Sequence, residues 1–264
     1  MIEIAAGLVT FGATTILTVA GVGAAFILIP LYMAMGIELH TAMSTALLLN
    51  GIAMIFASAT FAREKLILWR LAVPLVLAAT ALSPLGAYAS QFVPRSSLLL
   101  LFILFLLFAA SMMLFYRPGA PKKGHQPENP SRERCDPEDT GDLRRVWLIG
   151  APIGGIAGFI GGLLGVGGGN IIVPALIWLG ISPKKASATS AFIVLFSSLS
   201  GFAGRASLGS LDIPLLAFTV AGSVAGALLG AWLMSRKLQN RQVKLLIGIL
   251  LYLIAGKMLL GLWH

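Results

Sequence analysis

The sequence predicts an all-α polytopic membrane protein made of two inverted-topology repeats, each a broken, re-entrant helix followed by three transmembrane helices. Three observations carry this. Of 264 residues, 58% are hydrophobic and only 11% charged, with a mean hydropathy of +0.92, whereas a soluble domain carries about a quarter charged residues. The chain matches itself at a constant offset of 144 residues. Lys and Arg distribute with opposite bias in the equivalent loops of the two copies, as inverted repeats require.

Eight apolar runs follow one another: Ile4–Met35, Thr41–Ala62, Leu71–Phe92, Ser96–Tyr116, Val146–Leu179, Ala186–Ala203, Ile213–Met234 and Val243–Trp263. Six have the length of about 20 residues that a helix needs to cross. The first and fifth are too long for one span, and both are interrupted by glycine. The stretch Gly161–Pro174, GGLLGVGGGNIIVP, is glycine-dense and uncharged. Each glycine costs a helix interior about 1 kcal/mol against alanine, so Gly165 to Gly169 read as a deliberate break. The weaker copy is Gly21-Val22-Gly23-Ala24-Ala25. Non-helical backbone at membrane depth is tolerated where it lines a cavity or is buried in protein. Gly154, Gly158, Gly161, Gly162 and Gly165 read as helix-packing glycines of the small-xxx-small type.

The offset carries Gly21-Val22-Gly23 onto Gly165-Val166-Gly167, Ile27 onto Ile171, Pro30 onto Pro174, Gly36-Ile37 onto Gly180-Ile181, and Leu85-Gly86-Ala87 onto Leu229-Gly230-Ala231. The domains read as a first membrane repeat over 1–116, a polar linker over 117–145, and a second repeat over 146–264. The linker is rich in Pro and mixed charge, without an apolar face.

Loop charges set the expected topology. If the long first run of each half enters, breaks and returns, one side collects Arg63, Lys65, Arg70, the seven Lys and Arg of the linker, Lys184, Lys185, Arg236, Lys237 and Arg241. The other side holds Arg95 and Arg205 alone. Eight full crossings would divide the charges less unevenly. The re-entrant assignment puts the linker in the cytoplasm and both termini outside, in a multi-pass protein of the cell membrane. The net charge of +9 is explained by these loops. No basic run is interleaved with aromatics, which argues against nucleic acid. The N-terminus lacks the basic start of a secretory signal. The single Cys135 lies in the linker.

The site expectation is a small-anion site. A helix restarting inside the bilayer offers free amides and a positive dipole end. The residues expected to bind are Gly21 and Gly23 in the first break, Gly167, Gly168 and Gly169 in the second, and Asn170 beside it. Ser44, Thr45, Thr189 and Ser190 supply neutral hydroxyl donors, with helix capping as the ordinary reading of the same residues. Asn50, the most polar residue of its run, should face the interior. Arg205 either attracts anions at an external mouth or anchors its helix to head groups. All ten acids lie outside the spans, so no carboxylate relay for protons is built in. The lack of in-span His, Asp, Glu or Cys argues against an enzyme, and no metal or cofactor is expected.

At GIAGFIGGLLGVGGGNIIVPALIWLGISPKKASATS the chain resembles the TauE/SafE family of sulfite exporters. Gly167-Gly168-Gly169, Val173-Pro174, Leu179-Gly180, Lys185-Ala186 and Thr189-Ser190 match the family pattern, and the N-terminal copy matches more loosely, with Ser44-Thr45 for Thr-Ser. The resemblance implies a transporter of sulfite, sulfonates or related small anions. It also argues against thiosulfate, whose uptake in some members uses embedded cysteines absent here. Alternating access around a midplane site is the expected mechanism, with a channel-like pore or a non-transporting scaffold as alternatives. Beyond anion and bilayer, a homodimer is compatible with so small a permease, and nothing in the sequence fixes its interface.

Overall fold

A computed structural model describes residues 2–34, 36–94, 143–205 and 213–237, with isolated positions of the fourth and eighth apolar runs. The linker and most of those two runs lie outside the described residues. The elements are α1 (Ile2–Ala20), α2 (Ala25–Ala34), α3 (Leu39–Arg63), α4 (Trp69–Ala89), α5 (Leu143–Leu164), α6 (Gly169–Trp178), α7 (Pro183–Ala203) and α8 (Ile213–Arg236). The offset of 144 pairs α1 with α5, α2 with α6, α3 with α7 and α4 with α8. Among the described residues, five helices are long and apolar enough to cross a membrane. The chain is a multi-pass helical membrane protein.

Both long runs break where the glycines predict. Gly21 and Gly23, and Gly165, Gly167 and Gly168, all have positive φ, the region that glycine enters without a Cβ penalty. The preceding helices close in the same way: Gly21 N and Val22 N donate to Thr18 O and Leu17 O, as Gly165 N and Val166 N do to Gly162 O and Gly161 O. The limbs are unequal. α1 and α5 have 19 and 22 residues, α2 and α6 only 10 each, so the second limb covers about 15 Å, half the hydrocarbon thickness.

The halves are interlocked. Three glycines of α5 lay their faces on the α4 backbone, Gly154 at Leu75, Gly158 at Ala79 and Gly162 at Ser83. Gly222, Gly226 and Gly230 of α8 lie on Gly7, Phe11 and Thr15 of α1. Each set advances by one turn on both partners, so both pairs run parallel at backbone contact distance. α7 runs parallel to α4: Leu68 N donates to Thr189 Oγ1 at the starts of the two helices, and Gly204 lies against Pro84 at the far end of α7; Ser200 Oγ and Ser83 Oγ donate across the pair to Thr80 O and Ser197 O at 2.6 and 2.7 Å. α3 packs on α8 with their C-terminal ends together, where Arg236 forks onto Glu64 Oε1 at 2.9 and 3.0 Å.

The centre is the crossing of α3 and α7. Met43 meets Arg205, Leu47 faces Gly201, Asn50 bonds Ser198 and Gly51 faces Leu199. Numbers rise on one helix as they fall on the other, so the two repeat mates are antiparallel. The pairing is centred on Ile52 and Phe196, which the offset carries onto each other. Hence α1, α3 and α8 point one way and α4, α5 and α7 the other. Since α1 and α3 share a direction, α2 must turn back between them, from mid-height of α3, where Ala24 meets Asn50, to its start.

Candidate functional site

The two breaks meet at this crossing. A Cβ on Gly169 would lie 2.8 Å from Val22 Cα, so the backbones of the breaks touch. Gly21 lies against the Ser187 backbone of α7, and Gly165 against Met43 of α3. These two contacts are the same contact under the offset, since 21 maps to 165 and 43 to 187. The GVG glycines are thus doubly required, by positive φ and by a neighbour where a side chain would stand.

Several polar residues around the breaks are engaged with the broken backbone. Asn50 is fully buried; its Oδ1 accepts from Ala24 N at 2.9 Å, and its Nδ2 donates to Ser198 Oγ at 3.0 Å. It faces the interior, as the cost of burying an amide demands, and it caps the free amide end of α2. Ser197 Oγ donates to Gly167 O at 2.6 Å. Ser190 Oγ lies 3.5 Å from Gly169 O, at the limit of a hydrogen bond. Ser44 and Thr45 donate at 2.9 Å to His40 O and Thr41 O of their own helix. Thr189 Oγ1 accepts from Leu68 N at 3.1 Å and so ties α7 to the start of α4.

Arg205 lies one residue beyond the Gly204 C-cap of α7 and is fully buried. Its guanidinium turns inward, not to a mouth: Nη2 donates to Gly162 O at 2.8 Å and Leu163 O at 3.1 Å, and Nη1 reaches Met43 Sδ at 3.6 Å. A cation on the last carbonyls of α5 complements the negative helix end. Burial pulls its pKa down to about 10, which leaves it charged at neutral pH. The offset mate is Phe61, also fully buried, so the first half has no such cation.

Asn170 is a buried carboxamide with both of its polar atoms, Oδ1 and Nδ2, unpaired; Ser187 and Thr18 beside the first break each leave a single hydroxyl so. Asn170 is the second residue of α6 and 1% exposed. The N-cap is Gly168, and no side chain caps the helix. Gly168 faces α5, where a Cβ would strike the Ala157 carbonyl.

The structure therefore brings Gly21, Gly23, Asn50, Gly167, Gly168, Gly169, Asn170 and Ser190 to one place. Ser44 directly follows Met43, against which Gly165 lies, and like Thr45 it bonds within its own helix; Thr189 bonds at the α4 start, and Arg205 under the α5 end. Ser197 and Ser198, which are not among the expected binding residues, touch the break directly. Their spacing on the α7 face shared with Ser190 and Val194 was the available signal. No group of three or more His, Cys, Asp or Glu able to hold a metal occurs among the described residues.

Comparison with known proteins identifies the family. The family model described as "Sulfite exporter TauE/SafE" matches residues 6–258. The chain is 31% identical over 182 residues to the "Probable membrane transporter protein YunE" of Bacillus subtilis, covering 67% of this chain and 65% of that one. It is 28% identical over 223 residues to the "Probable membrane transporter protein YjnA" of the same organism, covering 82% and 84%. It is 41% identical over 70 residues to "Sulfite exporter TauE/SafE family protein 1" of Arabidopsis thaliana, covering 26% of this chain and 14% of that one. No solved structure matches. With a family match over nearly its whole length, the chain belongs to the TauE/SafE family, whose members are membrane transporters and not enzymes.

Proposed function

We propose that the protein is a permease for small sulfur-containing anions, sulfite or short organosulfonates, working by alternating access around the two glycine breaks. The observation that carries this is the meeting of both breaks at the α3–α7 crossing. Each opens a short helix at mid-height, so amide ends gather where an anion would sit halfway across. Neutral N–H and O–H donors hold an oxyanion without the trap that an opposed full charge would make. The repeats, 1–116 and 146–264, are inverted relative to each other, with the 117–145 linker cytoplasmic and the termini external. The antiparallel course of α3 and α7 supports this, because two homologous spans that run oppositely within one bilayer have opposite topology. Rocking one set of parallel helices against the other opens the centre to each side in turn.

Purified protein in proteoliposomes, assayed with radiolabelled sulfite and short sulfonates, tests the reading. Saturable uptake with counterflow is expected. Unsaturable flux would mean a pore, and no flux of any anion a scaffold. Gly168→Leu demands a side chain at φ +81 against the Ala157 carbonyl, and it should reduce transport to background while the protein still inserts.

A further inference from the structure

The two breaks differ in one respect that the repeat makes visible. In the first half, Asn50 Oδ1 occupies the amide end of α2 by accepting from Ala24 N at 2.9 Å. The offset of 144 carries Asn50 onto Val194, whose methyls lie at the corresponding place: Cβ atoms on Gly167 and Gly169 would come within 3.1 and 2.9 Å of them. Valine has no oxygen to give, and α6 has no side-chain cap. Beside that bare end stands the buried, unpartnered carboxamide of Asn170. Helical Cα–Cβ bonds tilt toward the N-terminus, so this side chain leans to the uncapped amides. Leaving an amide buried and unpaired is costly unless a partner arrives.

We propose that the anion binds at one break only, on the free amides of α6 and Asn170 Nδ2, while Asn50 Oδ1 serves as a built-in oxygen at the matching place in the first half. The site is asymmetric within a near-symmetric frame, and it suits a small oxyanion with two or more terminal oxygens. This rests on the transport reading and narrows it.

The test compares the parent chain with Val194→Asn and Asn170→Leu, each purified whole, for the KM of radiolabelled sulfite in proteoliposomes and for thermal unfolding. Val194→Asn copies the cap of the first half. It should raise the KM at least about tenfold, as one charge-assisted hydrogen bond is lost, with an unfolding temperature equal to or above the parent's. Asn170→Leu should raise the KM similarly, again without loss of stability, because it removes an unpaired buried amide. An unchanged or lower KM in Val194→Asn overturns the proposal, since an added amide would then be a ligand and both breaks would bind. If both variants lose flux and unfolding temperature together, the two residues only pack and the proposal is again wrong. A parent chain that moves no sulfite and no sulfonate would remove the transport reading and this inference with it. Normal parental flux with unaffected variants removes the inference alone.

Discussion

At the scale of residues, several polar atoms of this core repair a broken backbone. A helix that stops inside a bilayer leaves carbonyls and amides with no water to turn to. Ser197 answers Gly167 O, Asn50 answers Ala24 N, and Arg205 answers Gly162 O and Leu163 O. The strongest of these is Arg205, because hydrogen bonds to a charged group exceed neutral ones and its removal strips Leu163 O of its side-chain partner and leaves Gly162 O with Gly165 N alone. Arg205→Met should therefore cost about 2–4 kcal/mol in thermal or denaturant unfolding. Arg205→Lys should recover part of that, since an ammonium keeps the charge but lacks the planar group that sets Nη2 on both carbonyls and Nη1 on Met43 Sδ. Equal stability of Arg205→Met and the parent would mean that the guanidinium does not secure the α5 end. With a pKa near 10 the group does not titrate in the neutral range, so this contribution should be flat between about pH 6 and pH 8.

At the scale of elements, glycine has two separate uses. In the breaks it supplies positive φ; in α5 and α8 it lets helices touch. Gly158→Val would drive a branched side chain into the Ala79 carbonyl of α4 and should lower stability by about 1–3 kcal/mol. Gly12 of α1 has nothing within 4 Å of an added Cβ, so Gly12→Ala should be neutral or stabilising by up to about 1 kcal/mol. Unfolding of the two variants side by side separates packing glycines from incidental ones. The contrast also shows what the sequence could reveal. The breaks were legible because glycine density and the 144-residue offset are local and countable. The glycine stripe of α5 was legible as a packing face, but its partner was not: nothing in α5 alone names α4 of the other half. The same holds for the side chains. An amide at Asn50 in an apolar run had to point inward, yet whether it met an anion or Ala24 N depends on a break 26 residues away. Ser44 and Thr45 look like ligands by repetition, and in the fold they donate to their own preceding turn, a choice that composition cannot register.

At the scale of the whole molecule, the interlocked halves bear on topology. α1 packs on α8 and α5 on α4, so each half's first helix is held by the other half's fourth, and neither half keeps its packing surface alone. The shared direction of α1, α3 and α8, opposed to α4, α5 and α7, places the N-terminal end of α1 at the opposite end of the bundle from the turn after α3. That turn carries Arg63 and Lys65, and it adjoins Lys184, Arg236 and Lys237, through the Arg236–Glu64 pair and the bond from Lys184 Nζ to Ser235 O at 3.2 Å. A cluster of short-loop Lys and Arg is retained on the cytoplasmic side, so this end should face the cytoplasm and Glu3 the exterior. In a Cys135→Ser background, Glu3→Cys should react with a membrane-impermeant thiol reagent in intact cells, and Lys65→Cys only after permeabilisation. The prediction is strict, because helix directions are fixed relative to each other: labelling of both positions from one side would contradict the bundle itself. The reverse pattern would keep the bundle and invert the assigned orientation, placing the basic end outside against the charge rule.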